Sequence, residues 1–187
     1  MIIDIVSDAI CPWCYIGKRR LERALEMAPQ SDLQVGWRPF QLNPDMPTEG
    51  MDRKEYLRLK FGDRAGGGMY EAVEEAGRGE GIPFAFDLIK RTPNTILAHR
   101  LIRFAQREGH QDEAVETLFR AYFTEGANIG EIEILTGLAP AIGLVPARVR
   151  AFLESDEDVA TIRAEDQFAR QIGIQGVPCF IIDRKFA

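Results

Sequence analysis

Residues 2–14 read Ile2-Ile3-Asp4-Ile5-Val6-Ser7-Asp8-Ala9-Ile10-Cys11-Pro12-Trp13-Cys14, and the whole reading turns on this stretch. Ile2 to Val6 is short, apolar and β-branched with only Asp4 interrupting it, the pattern of a mostly buried strand. From Cys11 to about Met27, Ile16, Leu21, Ala24, Leu25 and Ala28 recur at roughly helical spacing, with Lys18, Arg19, Arg20, Glu22 and Arg23 mainly between them. Pro29 closes that helix. Leu33, Val35 and Trp37 then alternate with Gln34, Gly36 and Arg38, the period of a second strand with one wetter face. A strand–helix–strand unit of this length implies a parallel pair with a right-handed crossover.

Cys11-Pro12-Trp13-Cys14 sits where the first strand hands over to the helix, the setting that gives a CxxC pair redox chemistry. At the helix N-terminus, unpaired N–H groups and the dipole favour a thiolate on Cys11. Cys14, one turn along and nearer the core, is the resolving thiol, and the spacing brings the two sulfurs within bonding reach. Pro12 costs no hydrogen bond in a first turn, and Trp13 offers an apolar plate beside the reactive sulfur for a peptide or aromatic substrate. A zinc site would need a second ligand pair, and the other soft ligands are only Cys179, His99 and His110, so no metal is expected. Two inert buried cysteines are the remaining alternative, and the strand–CPWC–helix context argues against it.

Composition sets the bounds. The chain has 187 residues, 23 Lys+Arg against 29 Asp+Glu, a net charge of −6 and three cysteines. A chain of this length buries roughly 70% of its unfolded surface and needs no disulfide staples. The acidic balance, with no basic run, argues against nucleic-acid binding. The longest apolar stretch, Ile134 to Val145, is broken by Thr136, Gly137, Pro140 and Gly143, short of the ~18 residues of a membrane span. The N-terminus lacks a basic n-region and carries Asp4 in its apolar run, which does not read as a signal peptide and points to the cytoplasm, where paired cysteines are catalytic or metal-binding more often than structural.

Asn43 to Gly50 is a loop punctuated by Pro and Gly. From Asp52 to Gly173 the punctuation is helical and no segment reads as a strand. Asp52 with Glu55 forms a capping box, and Thr92 caps a helix whose first turn holds Pro93. Gly109, Gly143 and Gly173 fall at helix C-termini, Pro146 opens a helix, and Ser155 caps the next. Gly62 to Gly68 lacks the spacing of a phosphate cradle and reads as a linker between helices. Val177 to Asp183 is strand-like again, with Arg184 and Lys185 at a hairpin tip and Phe186 and Ala187 starting a return strand. The sequence stops where a sheet edge is expected to continue, as though a terminal segment were cut off.

Gly176-Val177-Pro178 precedes that last strand. On pattern alone Pro178 is a strand-start proline after a trans bond. CPWC after the first strand, a long helical insertion and a GVP turn resemble the thioredoxin fold of the DsbA superfamily, an α/β fold interrupted by helices. The phrases WRPFQLNPDMPTEG (37–50), PNTILAHRL (93–101), LFRAYFTEGANIG (118–130) and QIGIQGVPCFIID (171–183) are similar to its FrnE-like branch, over practically the whole chain. That resemblance implies a cytosolic thiol–disulfide oxidoreductase acting on protein or small thiols, with no required cofactor beyond a role for glutathione. It implies a cis Pro178 beside the CxxC and a Val177 backbone that pairs with an extended substrate. It divides the chain into a thioredoxin part at 1–43, a helical insertion at 44–155 and a second thioredoxin part at 156–187.

The same superfamily holds a rival. In 2-hydroxychromene-2-carboxylate isomerases and kappa-class glutathione transferases a serine commonly replaces the first cysteine and activates bound glutathione. Here Cys11 fills that position, Cys14 is retained, and the loop QLNPDMP lacks the glycine-rich run of the isomerase branch. A non-catalytic binding module using the same cleft is a third reading. Cys179, next to Pro178, is read as a small buried hydrophobe, or else as a third thiol close enough to trap Cys11 or Cys14. Asn94 and Thr95, at a helix N-terminus, face the cleft as substrate contacts or simply cap. His99 is a packed or surface residue, Phe84, Phe86, Tyr122 and Phe123 are core or line an apolar cleft, and Glu71, Glu74 and Glu75 form a solvated face.

Overall fold

A computed structural model describes residues 1–62, 68 and 70–186. The stretch read as a linker, Gly62 to Gly68, lies outside the described residues except for its two end glycines. Strand β1 (Ile2–Ser7) is central: it pairs in parallel with β2 (Gln34–Pro39) and antiparallel with β5 (Cys179–Ile182). Covered on both faces, it needs the near-continuous apolar run that the sequence shows. Asp4 is tolerated within that run because the Arg38 guanidinium on β2 donates to its carboxylate at 2.8 Å.

Helix α1 (Pro12–Met27) follows β1 directly and packs on the face of β5 that carries Phe180. A Cβ on Gly17 would lie 3.1 Å from Pro178 Cγ and 3.2 Å from Phe180 Cζ, so glycine is what lets α1 approach that strand. Lys18, expected on the polar side of α1, is buried instead. Its ammonium bonds Glu22 and, at 2.9 Å, Asp112, with Glu116 at 3.3 Å. Burial pushes this group's pKa down, but hydrogen bonds to Glu22 and Asp112 outweigh it and hold the charge more firmly than in water. The Trp37 indole N–H also donates to Asp112, at 3.1 Å, so one carboxylate ties α1 and β2 to the helices beyond.

Between β2 and β5 lie β3 (Met51–Asp52), α2 (Arg53–Phe61), α3 (Glu71–Gly79), β4 (Arg91–Thr92), α4 (Ile96–Glu108), α5 (Gln111–Glu125), α6 (Ile132–Ile142), α7 (Pro146–Glu154) and α8 (Val159–Gln171). Apolar side chains of β1, α4, α5 and α6 share one interior. Ile5, Ala98, Leu101, Leu118 and Leu135 are all completely buried there, and each of the larger ones contributes roughly 1.5–3 kcal/mol on leaving water. Tyr15 of α1 stacks on Phe119 of α5 at 5.1 Å, and Phe84, Phe86 and Phe123 extend that aromatic cluster. Tyr122 and Phe123 are core as expected, while Phe84 and Phe86 are partly buried against it.

Several local expectations need correction. The strand-free reading of 52–173 missed the β3–β4 pair, two residues on each side and too short for any periodicity. That pair also displaces the start of α4. Thr92 faces Met51 in the ladder, and the helix begins at Ile96 rather than at Pro93. Asn94 makes the turn between them, donating to Met46 O at 2.7 Å and accepting from Ile96 N–H at 3.0 Å. Asp52 does cap α2, through the Lys54 and Glu55 amides. Ser155 ends α7 rather than opening the next helix, and α8 starts at Val159 after Asp158 in a left-handed conformation. The reason is Arg100, 2% exposed, which donates to the carbonyls of Phe152, Leu153, Ser155 and Glu157 and so satisfies the end of α7. Gly109 and Gly143 terminate α4 and α6 as expected, and Pro146 opens α7. At the far end, Phe186 bridges back to Ile182 across the turn at Asp183 to Lys185.

Candidate active site

The register of β1 against β5 sets Val6 opposite Cys179, so the segment before β5 passes beside the segment after β1. One carries Val177 and Pro178, the other Cys11 to Cys14. The Val177–Pro178 peptide bond is cis. Cys11 is the N-cap residue of α1, with extended backbone and Pro12 in the first turn. Its N–H donates to Asp8 O, and its own carbonyl accepts from the Cys14 N–H, each at 3.0 Å. The Cys11 thiol donates to Val177 O at 3.5 Å.

Both thiols are free, at 4% exposure for Cys11 and 1% for Cys14, whereas Trp13 between them is 41% exposed. Burial pushes the Cys14 thiol well above its ordinary range, and the adjacent Cys11 sulfur adds to this. Hydrogen bonding from the Ser7 hydroxyl and the Asp8 amide opposes it. An open groove of about 530 Å³ runs along α1, walled by Trp13, Ile16, Leu21, Val177, Pro178 and Phe180, with Arg20 as the one charged side chain on its lining among the described residues.

Two buried polar groups meet behind β1: Asp8, which sequence reasoning left out, and His99, which it read as a packed or surface residue and which is packed. The Asp8 side chain is completely buried. Its Oδ2 accepts from Leu42 N–H at 2.7 Å, while Oδ1 accepts no hydrogen bond and lies 3.4 Å from His99 Nε2. His99, on α4, is 4% exposed and has Nε2 3.2 Å from Phe40 O. The signal available in the sequence was an Asp three residues before the first cysteine and a His on an otherwise apolar helix face, with nothing to join them across ninety residues.

Of the other residues singled out, Thr95 is buried at 3% exposure, and both ends of the Asn94 side chain are occupied by the turn before α4. Neither lines the groove beside Trp13. Cys179, read as a buried hydrophobe, is half-buried and packs against Val6, Phe40 and Ala169. Successive strand residues point to opposite faces, so with Phe180 against α1 the Cys179 side chain is on the face turned from that helix. Among the described residues, no group of three or more His, Cys, Asp or Glu side chains is placed to hold a metal ion.

A vicinal dithiol capping the first helix after a central strand, beside a cis-proline turn, defines the thioredoxin class of fold. Within it, the chain belongs to the DSBA-like thioredoxin domain family, whose model matches residues 2–187. It is 30% identical to the probable DsbA oxidoreductase of Streptomyces coelicolor, with a TM-score of 0.89 over 100% of this chain and 82% of that one. Two more distant structures share the fold at a TM-score of 0.72. The cytosolic disulfide reductase DsbM of Pseudomonas aeruginosa, solved with GSH, is 20% identical over 99% of this chain and 87% of its own. A 2-hydroxychromene-2-carboxylate isomerase is 16% identical over the same shares of 99% and 87%.

Proposed function

We propose that the protein is a thiol–disulfide oxidoreductase that exchanges a Cys11–Cys14 disulfide or dithiol with protein or small-thiol substrates. The observation that carries this reading is the placement of both sulfurs at the start of α1 with the Cys11 thiol turned toward Val177 O. In the oxidising direction a substrate thiolate attacks Cys11 of the disulfide, and Cys14 leaves as the thiolate. A second substrate thiol then displaces Cys11, releasing the substrate disulfide and leaving the dithiol. The reducing direction reverses each step. Val177 precedes β5 and stands outside its ladder, so its backbone is the edge on which an extended substrate would lie. Trp13 and Pro178 would cover the apolar part of that segment, and Pro12 keeps the first turn of α1 open beneath it. Asn94 and Thr95, engaged in the turn before α4, are left out of this contact set.

Glutathione is the small thiol we assign to this site, and the cytoplasm its compartment, following DsbM, which is a cytosolic reductase solved with that tripeptide. Among the described residues no helix is long and apolar enough to cross a membrane. The isomerase of the same fold supplies the second reading, a glutathione-dependent isomerase or transferase. Insulin-disulfide reduction and scrambled-protein reoxidation separate the two. Wild type is expected to turn over and Cys11→Ser to lose turnover. Full redox activity in Cys11→Ser, or glutathione-dependent isomerisation by wild type without disulfide turnover, overturns the dithiol reading.

A further inference from the structure

The groove beside the dithiol also carries a means of choosing among substrates, and this inference rests on the oxidoreductase reading. Trp13, Val177 and Pro178 share one lining with Arg20, over a volume of about 530 Å³. The Val177 carbonyl is also the group that takes the Cys11 thiol at 3.5 Å, so a segment bound at Cys11 enters the groove at that end.

We infer that Arg20 selects substrates that carry a carboxylate three or four residues from the reactive cysteine. Arg20 stands nine residues after Cys11 along α1, about 13 Å at a rise of about 1.5 Å per residue. Helical side chains lean back toward the N-terminus, which shortens that span. An extended segment covers about 3.3 Å per residue, so about three or four residues bridge the two positions.

The Arg20 guanidinium is anchored on one edge and open on the other. Its Nε donates to Glu80 Oε1 at 3.1 Å, and Arg23 Nη1 donates to Glu80 Oε2 at 2.9 Å. The Glu80 side chain, just after α3, is 8% exposed, whereas that of Arg20 is 53% exposed. Among the described residues neither Nη of Arg20 has an acceptor, and that pair matches the two oxygens of a carboxylate. Two guanidiniums on one carboxylate leave a positive charge in excess. The other cations of α1 do not compete for it: Lys18 is buried among Glu22, Asp112 and Glu116, and Arg19 is paired with Glu22 and Glu116.

The net charge of the chain points the other way. At −6, its long-range field favours a basic peptide. A preference for acid must therefore come from a local cation, and among the described residues Arg20 is the one on this lining.

The test uses short peptides blocked at both ends, each with one cysteine activated as its neutral 2-pyridyl disulfide. From the cysteine they run Ala-Leu-Xaa-Xaa, in that order and in the reverse chain direction, with Xaa either Asp or Lys. The Cys11 thiolate of the reduced protein bonds to the peptide sulfur, the peptide–pyridyl S–S bond breaks, and 2-thiopyridone departs with the electron pair, read by its absorbance. Each rate is divided by that of the same peptide with dithiothreitol, which removes the peptide's own reactivity. In wild type the Asp peptide is expected to react about five-fold faster than the Lys peptide in one chain direction, attraction and repulsion both counting, at about 0.01 M salt. The preference should fade near about 1 M salt, where the screening length is about 3 Å. Arg20→Gln should remove it and Arg20→Glu should invert it, the ratio being taken within each protein so that any general loss cancels. If Arg20→Glu does not fold beside Glu80, Arg20→Gln decides. A wild-type ratio within about two-fold of parity in both directions, or a ratio that Arg20→Gln leaves unchanged, overturns the assignment. Release from every peptide no faster than with Cys11→Ser would instead overturn the oxidoreductase reading itself.

Discussion

Cys14 and Cys179 make an informative pair, for both are thiols raised by burial, one on each side of the sheet. Cys14 lies among Cys11, the Ser7 hydroxyl and the Asp8 amide. Cys179 lies among Val6, Phe40, Ala169 and Ile181, and burial alone acts on it. On the proposed function, the contrast assigns reactivity to the neighbours and not to the sulfur. A helix N-terminus, a second thiol and hydrogen-bond donors surround one site, whereas the other is a half-buried sulfur against apolar side chains. The strand alternation that sends Phe180 toward α1 sends Cys179 the other way.

Breaking the reactive side should have the largest effect. Cys14→Ser is expected to remove catalytic insulin reduction and to trap substrates as stable mixed disulfides on Cys11, read by non-reducing mass spectrometry. Full turnover in that variant would put Cys14 on the same footing as Cys179.

Next comes the fit between α1 and Pro178. Gly17→Ala inserts a methyl 3.1 Å from Pro178 Cγ. Overpacking costs about 1–3 kcal/mol, and the helix regains about 1 kcal/mol from replacing glycine. The net loss of stability should therefore be about 0–2 kcal/mol, while turnover falls several-fold. Unchanged turnover would show that the approach of α1 to Pro178 is not tuned.

The buried charge clamp is a matter of stability. Lys18→Met leaves Asp112 without its cation and Glu116 with Arg19 alone, and is expected to cost about 2–3 kcal/mol in denaturant unfolding. The pH dependence has a definite sign. The carboxyl of Glu22 is raised by burial but lowered more by Lys18 and Arg19, so its net pKa lies below the ordinary 4.5. A depressed carboxyl stabilises above its unfolded pKa and loses that contribution as pH falls through the folded value. The stability gap between wild type and Glu22→Gln should accordingly be full near neutrality and close on acidification below about 4.5. A gap that persists unchanged to low pH would contradict the clamp. The smallest effect belongs to Cys179→Ala, expected to leave turnover unaltered and to cost at most about 1 kcal/mol. A loss of turnover there would erase the contrast between the two faces.

Much of this was legible in the sequence because it is local. The apolar run of β1, the cysteines at the start of α1 and the glycines after α4 and α6 each announce themselves within a few residues. What was hidden depends on contacts across the chain. Lys18 reads as a surface charge until Asp112 and Glu116 arrive from α5. Asp8 and His99 are unremarkable until α4 crosses beneath β1. Arg100 gives no hint that it will close the end of α7. The start of α4 was misplaced because a Thr-Pro pair signals a cap with equal force whether or not a strand partner such as Met51 claims the threonine.

The most direct measurement is the disulfide map of the protein equilibrated with mixtures of reduced and oxidised glutathione and digested under acid quench. The expected outcome is a Cys11–Cys14 bond that forms and disappears as a two-electron couple while Cys179 stays a free thiol throughout. A disulfide that recruits Cys179, or Cys11 held as a glutathione adduct with no bond to Cys14 at any ratio, would contradict the dithiol centre.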